Sequence, residues 1–210
     1  METITRKERE KIMHRTAILG TALDLFSAKG FHNVSMQDIA ASSEYAVGTL
    51  YNFFPSKEQL FAELRNDCAE KIIQILMPVL DSDKSEEEKL RTFIMSHIEL
   101  VEENLKFIKL YVSEHGTLTP AHNEKEGKAY EIKAVLQKKL ADVINTGIAK
   151  KIFKPVDVKV YTLSLTATLQ AYIMESSQNY SKENVKQGLG AITDLFMGVL
   201  NDRLLSYYGF

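Results

Sequence analysis

The side chains best suited to chemistry lie in one short run, Val47-Gly48-Thr49-Leu50-Tyr51-Asn52, with Lys57 shortly after it. Wound into a helix, this run presents Val47, Gly48, Thr49, Tyr51 and Asn52 outward while Leu50 points in. An asparagine amide carries a donor beside an acceptor and can pair with a base edge. Threonine and valine methyls can meet a thymine methyl, and tyrosine and threonine hydroxyls can reach phosphate. Lys57, at the start of the next helix, is expected to contact phosphate, and Ser35, at another helix start, is a further DNA-binding candidate. Arg6 belongs to a basic cluster with Lys7, Arg9, Lys11 and Arg15, opposed only by Glu8 and Glu10, which suits a nucleic-acid backbone. The chemistry implied is non-covalent recognition of double-stranded DNA.

No other constellation competes with it. The chain has no Gly-rich phosphate loop, no G-x-S-x-G and no Cys/His pair of catalytic type. His97, His115 and His122 lie near Glu99, Glu114, Glu124 and Glu126, but none has the His-x-x-x-His spacing of a helical metal site. Enzyme activity, a bound metal and a cofactor are therefore not expected. The single cysteine, Cys68, cannot form an intramolecular disulfide and fits a reducing compartment. The start METITRKEREKIMHR lacks the apolar stretch of a secretory leader. The most apolar run, Val160 to Met174, is interrupted by Thr, Ser and Gln and is too short to span a bilayer. A cytoplasmic protein without membrane contact is expected. At 210 residues, 45% hydrophobic and 26% charged, the composition is that of a globular protein. Net charge is −2, divided as +1 through Lys57 and −3 beyond it, so charge alone would not suggest nucleic acid.

The elements that must position these residues are legible. Ser35 with Asp38 is a capping box, and Val34 with Ile39 fits a hydrophobic staple, which fixes one helix start. That helix can run to Ser42 or Ser43, where Ser-Ser-Glu-Tyr breaks it. A second short helix follows and ends at Phe54, because a residue before proline leaves the α region, and Ser56 with Gln59 caps a third. Ile39, Ala40, Leu50 and Phe53 or Phe54 point inward. Two short helices joined in this way form the pattern of a helix-turn-helix; a small helical hairpin that only packs a core is the alternative.

The run Ile39-Ala40 through Gly48-Thr49-Leu50-Tyr51-Asn52-Phe53-Phe54 to Ser56-Lys57-Glu58 and Leu60 resembles the amino-terminal signature of the TetR/AcrR family of one-component transcriptional repressors. The resemblance covers roughly the first 65 residues. It implies a homodimer on a near-palindromic operator, released by a small-molecule effector. The turn departs from that pattern: Glu44, Tyr45 and Ala46 replace the usual Gly-Val-Ser. A non-glycine there must accept a left-handed backbone or make a different turn, and Ala46 removes a Ser cap worth about 1 kcal/mol.

The remaining chain reads as helices. A first runs from Thr5 to Lys29, with Ile12, Leu19, Ala22, Leu23 and Phe26 inward, and Gly30 ends it with Phe26 against Phe31. The helix from Ser56 should reach Met77 and stop at Pro78. Others are expected from Ser85 to Asn104, Leu105 to His115, Glu124 to Lys151 (with Val135 inward), Asp157 to Gln178 and Lys182 to Leu205. The architecture expected is all-α. A three-helix helix-turn-helix domain over residues 1–55 precedes a helical ligand-binding and dimerisation domain of about six helices over residues 56–210. The last two helices are too apolar to be covered within one subunit, so Tyr172, Ile192, Leu195, Phe196 and Val199 are assigned to a dimer interface. Phe93, His97, Phe107, Tyr111, Tyr130, Tyr161 and Leu165 are the candidates for an effector pocket. The rival function is a helical ligand- or protein-binding module whose altered turn no longer binds an operator.

Overall fold

A computed structural model describes residues 5–115 and 127–201. Among the described residues there are nine α-helices and no strand. The first three, α1 (Arg6–Lys29), α2 (Met36–Ser42) and α3 (Val47–Phe53), are set by their ends. Thr5 and Glu8 form a reciprocal capping box on α1, and Ser35 and Asp38 form the expected one on α2. Each box satisfies two amide groups that the helix itself leaves without partners. Gly30 ends α1 at φ 80 and ψ 152, a region in which a Cβ is not tolerated. Its N–H donates to the Phe26 carbonyl at 2.8 Å, and the Phe26 and Phe31 rings pack with centroids 5.2 Å apart.

The turn between α2 and α3 takes the first of the two routes open to a non-glycine. Glu44 adopts φ 60, and its N–H donates to Ala41 while that of Tyr45 reaches back to Ala40. That pair of bonds is a Schellman motif with glutamate where glycine is usual. The left-handed backbone costs a residue with a Cβ about 1–2 kcal/mol. Glu44→Gly is therefore expected to raise the thermal midpoint without altering the fold, as scanning calorimetry would read; a lower midpoint would contradict this account of the turn. Tyr45 offsets part of the strain. Its hydroxyl meets His14 Nδ1 at 2.5 Å and its ring stands edge-on to that of His14, tying the turn to α1.

Beyond this unit come α4 (Lys57–Asp81), α5 (Glu86–Met95), α6 (His97–His115), α7 (Lys128–Ala149), α8 (Val158–Gln178) and α9 (Lys182–Asn201). Ser56, Ser85 and Asp157 cap their helices as expected. Two boundaries differ. Pro78 lies inside α4, in an exposed position in its last turn, where the missing N–H forfeits one bond and the helix continues. The break expected after Asn104 falls instead at Ser96, where the His97 ring takes the Phe93 carbonyl, so a side chain enters the helical ladder. The expected loop from Gly116 and the expected limits at Glu124 and Leu205 lie outside the described residues.

Two large cores result. One joins Ile18, Phe26, Val34, Ile39, Leu50 and Phe54 of the amino-terminal unit to Leu60, Phe61 and Leu64 of α4 and Phe107, Leu110 and Tyr111 of α6. The other packs α4, α5, α7, α8 and α9 around Leu90, Ile94, Leu140, Ile144, Leu165 and Leu169. Burying each such side chain contributes about 1.5–3 kcal/mol. Ile12 and Val135, expected inside, are 54% and 46% exposed. The pairs Lys128–Glu70 and Lys139–Asp81 hold α7 parallel to α4. Arg15 of α1 pairs with Glu63 and, at 3.3 Å, Asp67 of α4, and Lys106 of α6 pairs with Asp24 of α1 at 2.6 Å.

Candidate nucleic-acid face and ligand cavity

The α2–α3 pair leaves one face open to solvent. Val47, Gly48, Tyr51 and Asn52 are exposed and Thr49 is half-buried, while Leu50 is sealed in the core. A Cβ built at Gly48 would meet nothing within 4 Å, so α3 presents a low ridge there. Ser35 is exposed, but its hydroxyl donates to the Asp38 carboxylate at 2.6 Å and accepts from the Asp38 N–H; this holds Asp38 below the usual carboxylate range. Arg6 projects from the start of α1 and pairs with Glu10 at 2.8 Å.

Lys57 has a different first task from the one expected. Its ammonium donates to the Phe31 and Val34 carbonyls, both at 2.9 Å, and lies 4.4 Å from the Phe31 ring centroid. It clasps the α1–α2 connection onto α4. Lys57→Ala should therefore lower the thermal midpoint, since two carbonyls lose a charged donor at about 1.5–3 kcal/mol each at most. A substitution that changes operator affinity and leaves stability untouched would show the clasp to be idle.

A cavity of about 270 Å³ lies in the carboxy-terminal part. From α4 come Arg65, Cys68, Ala69, Ile72 and Leu76; α5 and α6 supply Phe93, His97, Leu100, Val101, Asn104, Phe107, Ile108 and Tyr111. Opposite them stand Tyr130, Lys133, Leu136 and Gln137 of α7 and Thr166, Leu169, Gln170 and Ile173 of α8. The lining is chiefly apolar. Tyr130 is 46% exposed and so stands at the edge. Burial pushes the Cys68 thiol up to about 12, which leaves it unreactive near neutral pH. Burial likewise pulls the His97 imidazole down to about 4, against the Phe93 and Ile94 carbonyls, so the ring is neutral.

The structure brings five of the seven expected pocket residues together here: Phe93, His97, Phe107, Tyr111 and Tyr130. Tyr161 and Leu165 are not among them. The Tyr161 hydroxyl donates to the Phe196 carbonyl at 3.1 Å and its ring meets Phe196 edge-on, while Leu165 is fully buried in the α8–α9 core. Helical spacing placed both inward without deciding between core and cavity.

The same distinction corrects the expected interface. Ile192 and Phe196 are 8% and 7% exposed and belong to this chain's own core, whereas Leu195 is 50% exposed. Tyr172 lies across Gly188, where an added Cβ would sit 2.0 Å from its oxygen, and donates to the Asn184 carbonyl at 2.7 Å. Val199 is half-buried. Beside Leu195, α9 exposes Ala191, and α8 exposes Val160, Leu163, Ala167 and Ala171. No helix among the described residues is long and apolar enough to cross a membrane, and no group of His, Cys, Asp or Glu among them could hold a metal.

Residues 18–64 match the family model of bacterial regulatory proteins of the tetR family, and residues 83–174 match that of the tetracyclin repressor-like C-terminal domain. The chain belongs to the TetR family. This TetR-family protein is a DNA-binding transcriptional regulator and not an enzyme. It is 28% identical over 144 residues to the transcriptional repressor KstR2 of Mycolicibacterium smegmatis, covering 67% of this chain and 68% of that one. The fold is shared with the fatty acid degradation regulator FadR of Bacillus halodurans at a TM-score of 0.74 and 18% identity, over 90% of this chain and 96% of that one. It is shared also with FadR of Bacillus subtilis in complex with stearoyl-CoA at 0.73 and 19%, over 89% and 99%.

Sequence reasoning on this regulator named none of the α4 residues that line the cavity, and it missed Asn104. A signal was present in both. Arg65, Ala69, Ile72 and Leu76 recur at helical spacing on a second face of α4, and His97 and Asn104 are polar residues one heptad apart within an otherwise apolar stripe.

Proposed function

We propose that this protein is a ligand-responsive repressor that binds a near-palindromic operator as a homodimer and is released by a small apolar or lipid-like effector. The observation that carries it is a single helix, α6, joining the two sites. From His97 to Tyr111 it lines the cavity, and three residues on, Glu114 accepts the Phe31 N–H at 3.3 Å and faces His32 at 3.3 Å. A ligand that displaces α6 thus acts directly on the connection between α1 and α2. Residues 1–55 serve as the DNA reader and residues 56–210 as the effector and dimer part, with α4 common to both cores. Arg65 and Lys133 at the cavity suit an anionic head group, and the stearoyl-CoA complex of the similarly folded FadR agrees with an acyl-type effector. The cytoplasm is the place for such an activity.

A gel shift with the DNA upstream of the chain's own gene, repeated over a range of salt, tests operator binding. Affinity should fall steeply with salt as phosphate contacts release counterions. No retardation at low salt would favour the rival binding module. Asn52→Ala should cost about 1–3 kcal/mol at the bases it reads and relax sequence preference there. A loss equal across all operator variants would assign Asn52 to the backbone instead.

A further inference from the structure

Two buried polar residues, His97 and Asn104, line the cavity, and both spend a donor on their own helix. His97 Nδ1 meets the Phe93 carbonyl at 2.9 Å. A carbonyl only accepts, so Nδ1 carries the proton, and in a neutral ring Nε2 is then a bare acceptor. The ring is 9% exposed, stands edge-on to Phe93 at 5.2 Å, and has no donor to Nε2 among the described residues. Asn104 donates one amide hydrogen to the Leu100 carbonyl at 2.9 Å, which leaves its carbonyl and a second hydrogen. Thr166 is similar: its hydroxyl donates to the Thr162 carbonyl at 2.9 Å and presents only lone pairs.

From this geometry we infer that the effector is hydroxylated, an apolar body carrying an alcohol or phenol whose O–H donates to His97 Nε2, with Asn104 able to hold a second hydroxyl two helical turns along α6. The inference rests on the cavity being the effector site and goes further in naming the group that is read. The positions of His97 and Asn104 are about 10 Å apart along the helix axis, which suits a rigid fused-ring or biaryl body. A carboxylate or ether oxygen at the same place would face lone pair against lone pair. Arg65 and Lys133 on α4 and α7 are the lining residues able to take a negative charge, so an acidic head group and the hydroxyl would be held at different places.

The test uses the full-length protein and three probes of one shape: biphenyl, 4-methoxybiphenyl and 4-hydroxybiphenyl. Calorimetric titration should show the phenol binding roughly tenfold tighter than the ether, the size of one net hydrogen bond. In His97→Phe that preference should vanish while biphenyl still binds. Because His97→Phe also frees the Phe93 carbonyl, the unmutated protein supplies a second readout: the ¹⁵N resonance of His97 Nε2 should shift with the phenol and stay in place with the ether. Equal affinity for phenol and ether, a preference that survives in His97→Phe, or no binding of any probe would overturn the inference. Operator affinity is measured separately. A phenol that binds with the expected preference yet leaves operator affinity unchanged would uphold the hydroxyl site and remove the effector role.

Discussion

Leu195→Glu is expected to yield a folded chain that sediments as a monomer at micromolar concentration and binds its operator at least about a hundredfold more weakly. The size follows from geometry. Leu195, Leu163 and Val160 are 50%, 56% and 59% exposed on the two carboxy-terminal helices, and small or apolar neighbours at helical spacing continue both stripes. A two-fold axis would bring each stripe onto its own copy, so one substitution buries two like charges, each costing about 3–5 kcal/mol when left without a partner. A monomer would then engage one half-site, whereas the proposed dimer would hold two recognition helices about 34–36 Å apart for successive major grooves. Phe196→Glu cannot make the same point, because Phe196 packs against Tyr161 inside the chain and its replacement would unfold the core. Sedimentation of Leu195→Glu as an unchanged dimer would remove this surface from the interface.

What could be read in advance was local. A capping box is written in residues three apart, so the starts of α2 and α5 follow from Ser35 with Asp38 and Ser85 with Glu88. The outward residues of α3 follow from one buried leucine in a seven-residue helix. What escaped was tertiary. On α8, with almost no polar face, periodicity separates neither cavity from core nor core from partner surface, and Leu165, Leu169 and Leu163 look alike in sequence while they are fully buried, cavity-lining and exposed respectively. Glu44 shows the same limit from the other side. The chain announced a strained turn, but only the contact between Tyr45 and His14, thirty-one residues apart, shows what supports it. The role of Lys57 likewise depends on carbonyls more than twenty residues upstream.

Filling the cavity should separate signalling from DNA binding altogether. Ala69 lies on α4, 8% exposed and lining the cavity, so a large side chain there extends into existing space and displaces no core residue. The chain has no tryptophan, and Ala69→Trp would place a single indole at the site, where its emission reports the surroundings directly. An indole occupies much of about 270 Å³, and adding apolar contacts where a void stood stabilises by roughly 0.5–2 kcal/mol. The expected result is a blue-shifted emission, a thermal midpoint equal to or above that of the unmutated chain, unchanged operator affinity without ligand, and no release by any compound that releases the unmutated protein. Linkage makes the argument strict: a ligand excluded from its site has no differential affinity for the two conformations and cannot shift their populations. Ala69→Leu, which fills less, should weaken the response without abolishing it. If Ala69→Trp folds, binds operator and is still released at the same ligand concentration, the effector acts somewhere other than this cavity, and α6 loses its place as the element that carries the signal.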